Sequence, residues 1–343
     1  MSMLAASIPA SARAARRRWW PLVILAVLAA AVCILRYAID RAPGGSVSLA
    51  WPEPAWAGFR RTAIFTGVIV GGGLGLAGAL LQTLLRNPLA SPYLLGVSSG
   101  AGLGVMAAMA IAASAGMASA GSVDWSIPAM LGAVAALAIV LSLGRRNGWP
   151  DPVTVLLTGV VVATIAAGGM MLLQHLVPMD VRGRFLTWMM GTLPEIASTW
   201  QLILAGTVVA GGIVVAMLLC RWLDTSMLGD DEAIALGVPI GPMRLVLLVV
   251  AGMVTAVTVS LAGPIGFVGL IAPHAARRVV GHHHASSVPA AVLCGVILIV
   301  GADAARQAID LGTGRLPIGV LTILAGGPLF LWLLRREVRG LGH

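Results

Sequence analysis

The chain has 343 residues, of which 59% are hydrophobic and only 10% charged, and its mean hydropathy is +0.96. That balance excludes a water-soluble globular domain and leaves room for about nine to eleven membrane-spanning helices in one polytopic unit. The net charge of +9 comes from 22 basic residues, all arginine, against 13 acidic ones, scattered in ones and twos at the ends of apolar runs, which excludes a continuous nucleic-acid-binding face.

Residues 1–18 form a basic amino-terminal segment in which Arg13, Arg16, Arg17 and Arg18 precede an uncharged run. That run is long for the core of a cleaved signal, and Val32 stands where a lipoprotein signal needs a small residue before Cys33. Residues 19–38 are therefore expected to be a retained first span with its amino end in the cytoplasm. Further apolar runs cover 62–83, 93–115, 127–143, 153–176, 200–222, 243–262, 264–280, 289–309 and 317–334. Ten spans place both termini inside, with one transmembrane domain over 19–336 and a cytoplasmic tail over 337–343. In this arrangement Arg13, Arg16, Arg17, Arg18, Arg86, Arg145, Arg146, Arg221, Arg244, Arg277, Arg278, Arg335, Arg336 and Arg339 lie inside. Arg36, Arg41, Arg60, Arg61, Arg182, Arg184, Arg306 and Arg315 lie outside, a bias in the expected direction that leaves the outer set unexplained.

In the second span Gly67, Gly71 and Gly75 recur every four residues, so one helix face lets a neighbouring backbone come close. Gly73, Gly75 and Gly78 also spell GxGxxG, but neither the preceding strand nor the later acidic residue of a dinucleotide site is present. The span ends in "RNPLASP", where Pro88 and Pro92 break the helix and the Asn87 amide can satisfy freed backbone groups. An echo links "GLAGALLQTLLRNPLA" with "SLAGPIGFVGLIAPHAAR" near 260–277, in spans that start from opposite sides of the membrane. In the second of these segments Pro273 and His274 lie near a cytoplasmic helix end, where a structural hydrogen bond is the expected duty of the histidine. Cys33, Cys220 and Cys294 read as buried thiols. Three adjacent histidines, 282–284, occupy a cytoplasmic turn without convergent ligands from elsewhere, so no metal site is assigned. Asp303, inside the ninth span, needs a partner, and Arg306 is one turn away.

With no lysine, the chain cannot hold the GKS or GKT of a nucleotide-hydrolysing loop, so any ATP that drives it is bound elsewhere. The acidic trio Asp230, Asp231 and Glu232 opens a short helix that ends at Gly237, within the longest cytoplasmic connection, about 223–243.

"RNPLASP", "TWMMGTLPE" (187–195), "LGDDEAIALGV" (228–238), "GPIGFVGLIAPHAARRVVG" (263–281), "GADAAR" (301–306) and "RLPIGVLTILAGGPLFLWLLRR" (315–336) follow one another along nearly the whole chain. Together they resemble the FecCD family, the permease subunits of type II ABC importers for ferric siderophores, haem and cobalamin. The resemblance implies an all-α polytopic membrane protein of about ten transmembrane helices, with broken helices and short coupling helices. It implies a homodimer in a bacterial inner membrane, two partner ATPases that bind ATP and magnesium, and an external substrate-binding protein; the permease itself is not an enzyme and binds no cofactor. By the same resemblance Asp230, Asp231, Glu232, Ala233, Leu236 and Gly237 belong to the coupling helix, with Ala233, Leu236 and Gly237 on its buried side. Arg61 and Arg306 match arginines that receive the binding protein, and Arg60 offers a shifted substitute for one that Gly58 replaces. Arg315 stands where the family commonly has glutamate, which reverses the charge at the outer mouth. The fifth span lines the pathway, with Thr164, Gly168, Met171 and His175 along one side. The competing reading, an ion-coupled secondary transporter of a small organic solute, expects ion ligands within the spans, where Asp303 is the main acidic residue.

Overall fold

The computed structural model describes residues 10–41, 47–116, 124–309 and 316–340; Arg315 lies outside them. The chain starts with α1 (Ala10–Ala38), a hairpin of β1 (Ile39–Arg41) and β2 (Val47–Leu49), and α2 (Pro54–Leu84). A 3-10 turn over Pro92–Leu95 leads to α3 (Val97–Ser114) and α4 (Ser126–Leu143). A second hairpin, β3 (Arg145–Arg146) and β4 (Trp149–Pro150), turns at Asn147 and Gly148, both with positive φ, the backbone that a two-residue hairpin of this twist requires. Then come α5 (Pro152–Leu176), α6 (Met179–Met189), α7 (Thr199–Leu218), α8 (Cys220–Ser226), α9 (Asp230–Ala235) and α10 (Ile240–Ala262). The order closes with α11 (Val268–Val280), α12 (His284–Ala308) and α13 (Ile318–Gly340).

Among the described residues eight helices are long and apolar enough to cross a membrane: α1 from Trp19, α2, α3, α4, α5, α7, α10 and α12. In addition, α13 opens with the apolar stretch Ile318–Leu331. The eighth expected span is corrected. Residues 264–280 do not form one helix through the bilayer, because α11 has 13 residues, about 20 Å at 1.5 Å per residue against a core of about 30 Å. Ahead of it Gly263 and Phe267 take positive φ, and the chain between them is irregular. Such backbone is tolerated at membrane depth only where protein covers it and satisfies it. The Tyr93 hydroxyl does this for Ile265, donating to its carbonyl at 2.5 Å and accepting from its N–H at 2.7 Å.

The bundle is organised around α2, whose most apolar stretch is 78% buried. Gly71 and Gly75 lie against the backbone of α12 at Gly295 and Ala291, and Gly78 lies against Gly269 of α11. A Cβ at any of the three would overlap a carbonyl oxygen of the facing helix, so the glycine spacing is used for backbone approach. The two echoing segments also pack on one another: Gly78 of the first meets Gly269 of the second, which Pro92, two residues beyond the first, also touches. The main apolar core continues from Leu76, Leu80 and Leu81 to Met106, Leu137 and Leu247.

At the start of α5, Asp151 accepts from the Thr154 N–H at 2.9 Å and from its hydroxyl at 2.7 Å. These bonds hold its carboxyl below the usual carboxylate range.

Gly75→Leu forces α2 and α12 apart and should cost about 1–3 kcal/mol. It should lower the unfolding temperature of the purified chain in detergent, whereas Gly211→Ala, whose new Cβ meets nothing within 4 Å, should not. Equal temperatures for both variants would show that the helices separate without penalty.

Candidate functional site

One polar end of the bundle gathers the ends of α2, α8, α9, α10, α11 and α12. The α2 helix terminates at Leu84, and Arg86 follows with φ of 46°, a left-handed turn that swings its side chain toward α9. There its guanidinium donates to the Asp230 carboxylate at 2.6 Å and to the Ser226 carbonyl at 2.8 Å. Arg244, near the start of α10, meets both oxygens of the same carboxylate at 2.8 Å. Asp230 thus serves as an internal clamp joining α9 to α2 and α10. Each pair is partly exposed and worth about 0–1 kcal/mol, so the arrangement fixes geometry more than it adds stability.

The α9 helix ends as its glycine predicts. Gly237 takes φ of 83°, its N–H reaches the Ile234 carbonyl, and the Val238 N–H reaches back to the Ala233 carbonyl. The expected orientation needs correction, because Ala233 is fully buried against its own subunit and cannot face a separate protein. Leu236 and Gly237 are exposed, as are Asp231 and Glu232. With Met227, Leu228 and Ile234 they form a surface of large apolar side chains edged by two carboxylates.

The "RNPLASP" break is satisfied internally. The Asn87 side-chain oxygen accepts from the Leu89 N–H at 2.9 Å, Pro88 is exposed, and Pro92 is buried against Gly269. Buried Gln82 donates to the Leu270 carbonyl at 3.1 Å and to the Ala90 carbonyl at 3.4 Å, while its own oxygen accepts from Arg277. Pro273 lies buried within α11, and the buried His274 ring stands edge-on to Phe330. Of the three histidines, His282 and His283 are exposed, while buried His284 joins Asp224 at 2.6 Å and the Thr83 hydroxyl at 2.9 Å.

The opposite end carries a buried ion cluster. Arg36, at the close of α1, and Arg306, near the close of α12, share the Asp303 carboxylate, Arg306 at 2.5 Å, and Glu195 lies 3.8 Å from Arg36. Asp303 therefore has its expected partner and a second one from 267 residues away. This placement revises the docking expectation for Arg306, which is 4% exposed and turned toward an internal acid. Arg60 is also engaged, holding the carbonyls of Tyr37 and Ile39 at 2.9 and 3.0 Å and Asp40 at 2.5 Å. Arg61 is exposed on the rim, with one long contact to the Ala57 carbonyl at 3.4 Å.

On α5, Thr164, Gly168, Met171 and His175 all lie on an exposed face. The Thr164 hydroxyl bonds back to the Val160 carbonyl at 2.8 Å, and an added Cβ at Gly168 would meet nothing within 4 Å. Exposed Leu157, Val161, Ile165 and Leu172 flank them, so the face is one that lipid or a second protein surface must cover.

Residues 23–336 match the FecCD transport family. The chain belongs to that family. It is 36% identical over 329 residues to the cobalamin import system permease protein BtuC of Halobacterium salinarum, covering 91% of this chain and 86% of the relative. It is 32% identical to the hemin transport system permease protein HmuU of Yersinia pestis, covering 82% and 83%. It is 36% identical to the ferric enterobactin transport system permease protein FepD of Escherichia coli, covering 80% of each. A solved structure of a metal-chelate type ABC transporter in an inward-facing conformation superposes with a TM-score of 0.80 at 28% identity, covering 93% of this chain and 99% of that one. This FecCD chain is thus a multi-pass membrane protein whose relatives are permease components of import systems.

Sequence reasoning did not single out Arg36, Arg86, Arg244 or Gln82 as functional candidates. Only the position of each arginine at the end of a span hinted that it had a polar partner, and the partners lie on distant helices.

In this FecCD chain, Asp230→Asn should weaken the α9 clamp without unfolding the spans. Hydrogen exchange across residues 233–238 should speed up by roughly fivefold, the equivalent of about 1 kcal/mol, while Asp231→Asn should leave it unchanged. Identical exchange in all three proteins would remove the clamp. Asp303→Asn, by contrast, leaves two buried guanidinium groups without their shared anion and should cost about 3–5 kcal/mol on denaturation. A loss under about 1 kcal/mol would mean that the arginines are satisfied by other groups.

Proposed function

We propose that the chain is the membrane-spanning permease subunit of an ATP-driven importer that carries a bulky metal chelate, a ferric siderophore, haem or cobalamin, across the inner membrane. The observation that carries this reading is the family match over residues 23–336, together with relatives named as cobalamin, hemin and ferric enterobactin permeases. Two copies form the pathway, with the α5 face of Thr164, Gly168, Met171 and His175 turned toward it. Two separate ATPases bind ATP and magnesium on the cytoplasmic side, and an external binding protein delivers the cargo. Both termini are cytoplasmic, a direction favoured by the excess of arginines on the Arg86 side.

Coupling follows from the clamp. The exposed apolar surface of Met227, Leu228, Ile234 and Leu236, edged by Asp231 and Glu232, rests on the ATPase, and Ala233 seats the same helix on the permease. When the two ATPases close on nucleotide, α9 is carried with them. Asp230 passes the displacement to Arg86 and Arg244, at the ends of α2 and α10. On the opposite rim Arg61 is the exposed cation for an acidic residue of the binding protein, with Arg60 and Arg306 shaping that rim from within.

The test is uptake into proteoliposomes containing this subunit, its ATPase and its binding protein, offered each chelate separately. Import of one chelate, dependent on both ATP and the binding protein, is expected. Uptake by this chain alone without ATP would overturn the assignment.

A further inference from the structure

Beside the Asp230 clamp, a second polar link ties the same end of the bundle together and has no part in the transport scheme above. It starts on α8, which only Met227, Leu228 and Gly229 separate from α9. Leu223 of α8 is fully buried, and the Ser226 carbonyl accepts from the same Arg86 guanidinium that holds Asp230. One side chain thus fastens both short helices, so a displacement of α9 is shared by α8.

Asp224 joins α8 to α12. Its Oδ1 accepts from the backbone N–H of His284 at 2.9 Å and from the Nδ1–H of the same residue at 2.6 Å, while Oδ2 lies 3.7 Å from the His283 ring. His284 is the first residue of α12, so this carboxylate takes one of the N–H groups that a helix leaves unpaired at its start and sits at the positive end of the helix dipole. Bonds of this kind are charge-assisted and directional. The His284 ring is buried, and its Nε2 stands 2.9 Å from the hydroxyl of Thr83 in the last turn of α2. Asp224 therefore grips the start of α12, and the ring extends that grip to α2.

The far end of α12 is fastened as well. Its 25 residues run about 37 Å, packed against α2 at Ala291 and Gly295, and near its close Asp303 is shared between Arg306 and Arg36 of α1. Rigid helices joined by hydrogen-bonded groups are the elements through which distant sites are coupled. Asp230 acts on α2 and α10; Asp224 acts on α12 too. We propose that Asp224 and His284 are positioning residues for transport, which make α12 follow the cytoplasmic segment when the ATPases close, a role that rests on the ATP-driven importer reading.

The test uses the complete transporter in proteoliposomes, this subunit with its ATPase and binding protein, supplied with the chelate that the wild type imports. The quantity read is chelate imported per ATP hydrolysed. Asp224→Ala and His284→Ala should each lower that ratio about fivefold, while the ATPase still associates and hydrolyses ATP because the α9 surface is untouched. The double variant should fall no further than either single one, since both remove the same link. Asp224→Asn, whose amide oxygen still accepts from the backbone N–H and the ring of His284, should recover most of the ratio. A second measurement needs no variant: hydrogen exchange over residues 284–288 of the wild-type complex should differ about fivefold between the nucleotide-free and ATP-bound states. Unchanged exchange there would overturn the proposal. So would a wild-type ratio in both alanine variants, since a loss of assembled complex with the ratio preserved is what a purely structural fastening gives. A wild type that imports no chelate with ATP would instead overturn the importer reading, and this role with it.

Discussion

The close backbone approach of α2 to α12 and α11 is the constraint on which the rest of the molecule depends. In a bilayer the lipid tails are as apolar as the side chains, so helices adhere through close packing and not through escape from water. Gly71, Gly75 and Gly78 remove the side chains that would keep the backbones apart, and Gly295 and Gly269 do the same from the facing helices. The result is a rigid central rod of 31 residues, about 46 Å long, which carries Arg60 and Arg61 near one end and leads into Arg86 at the other. A displacement applied at Arg86 therefore acts on an element packed along its length against two others.

The irregular segments around this rod are satisfied by a few buried side chains with two-sided hydrogen bonding. Tyr93 serves both polar groups of Ile265, Gln82 serves two carbonyls and one guanidinium, and His284 joins α2 to α8. Each stands where a helix breaks or ends and the backbone loses its own partners. The glycines thus set the distances between helices, and these polar residues let the chain leave helical geometry without exposing unsatisfied groups to lipid.

Much of this was legible in the chain. Apolar runs gave most of the spans within a few residues, and the four-residue glycine spacing identified the packing face of α2. The motifs named the family, and the acidic trio with its terminal glycine located α9. What stayed hidden depends on three-dimensional closure. Residues 264–273 are apolar throughout, so hydropathy alone cannot show that the first few are non-helical backbone. Ala233 is small enough to fit either face of α9, and only packing decides between them. Arg36 and Asp303 are 267 residues apart, a pairing without local periodicity to announce it.

That same pairing bears on how transport is powered. An ion-coupled transporter normally carries carboxylates or other ion ligands within its spans, and a carboxylate in that role exchanges protons or cations with water during the cycle. Asp303 is the acidic residue whose sequence position suited this role, yet it is 1% exposed and both of its oxygens are occupied by guanidinium groups. Protonating it would strand two buried cations, and a metal cation would have to displace or repel them. Either step works against the coulombic balance that makes the burial tolerable. Asp303 is therefore suited to fastening α1 to α12 and ill suited to carrying a coupling ion. That is consistent with the proposed coupling through the exposed surface of α9 and the carboxylate that clamps it.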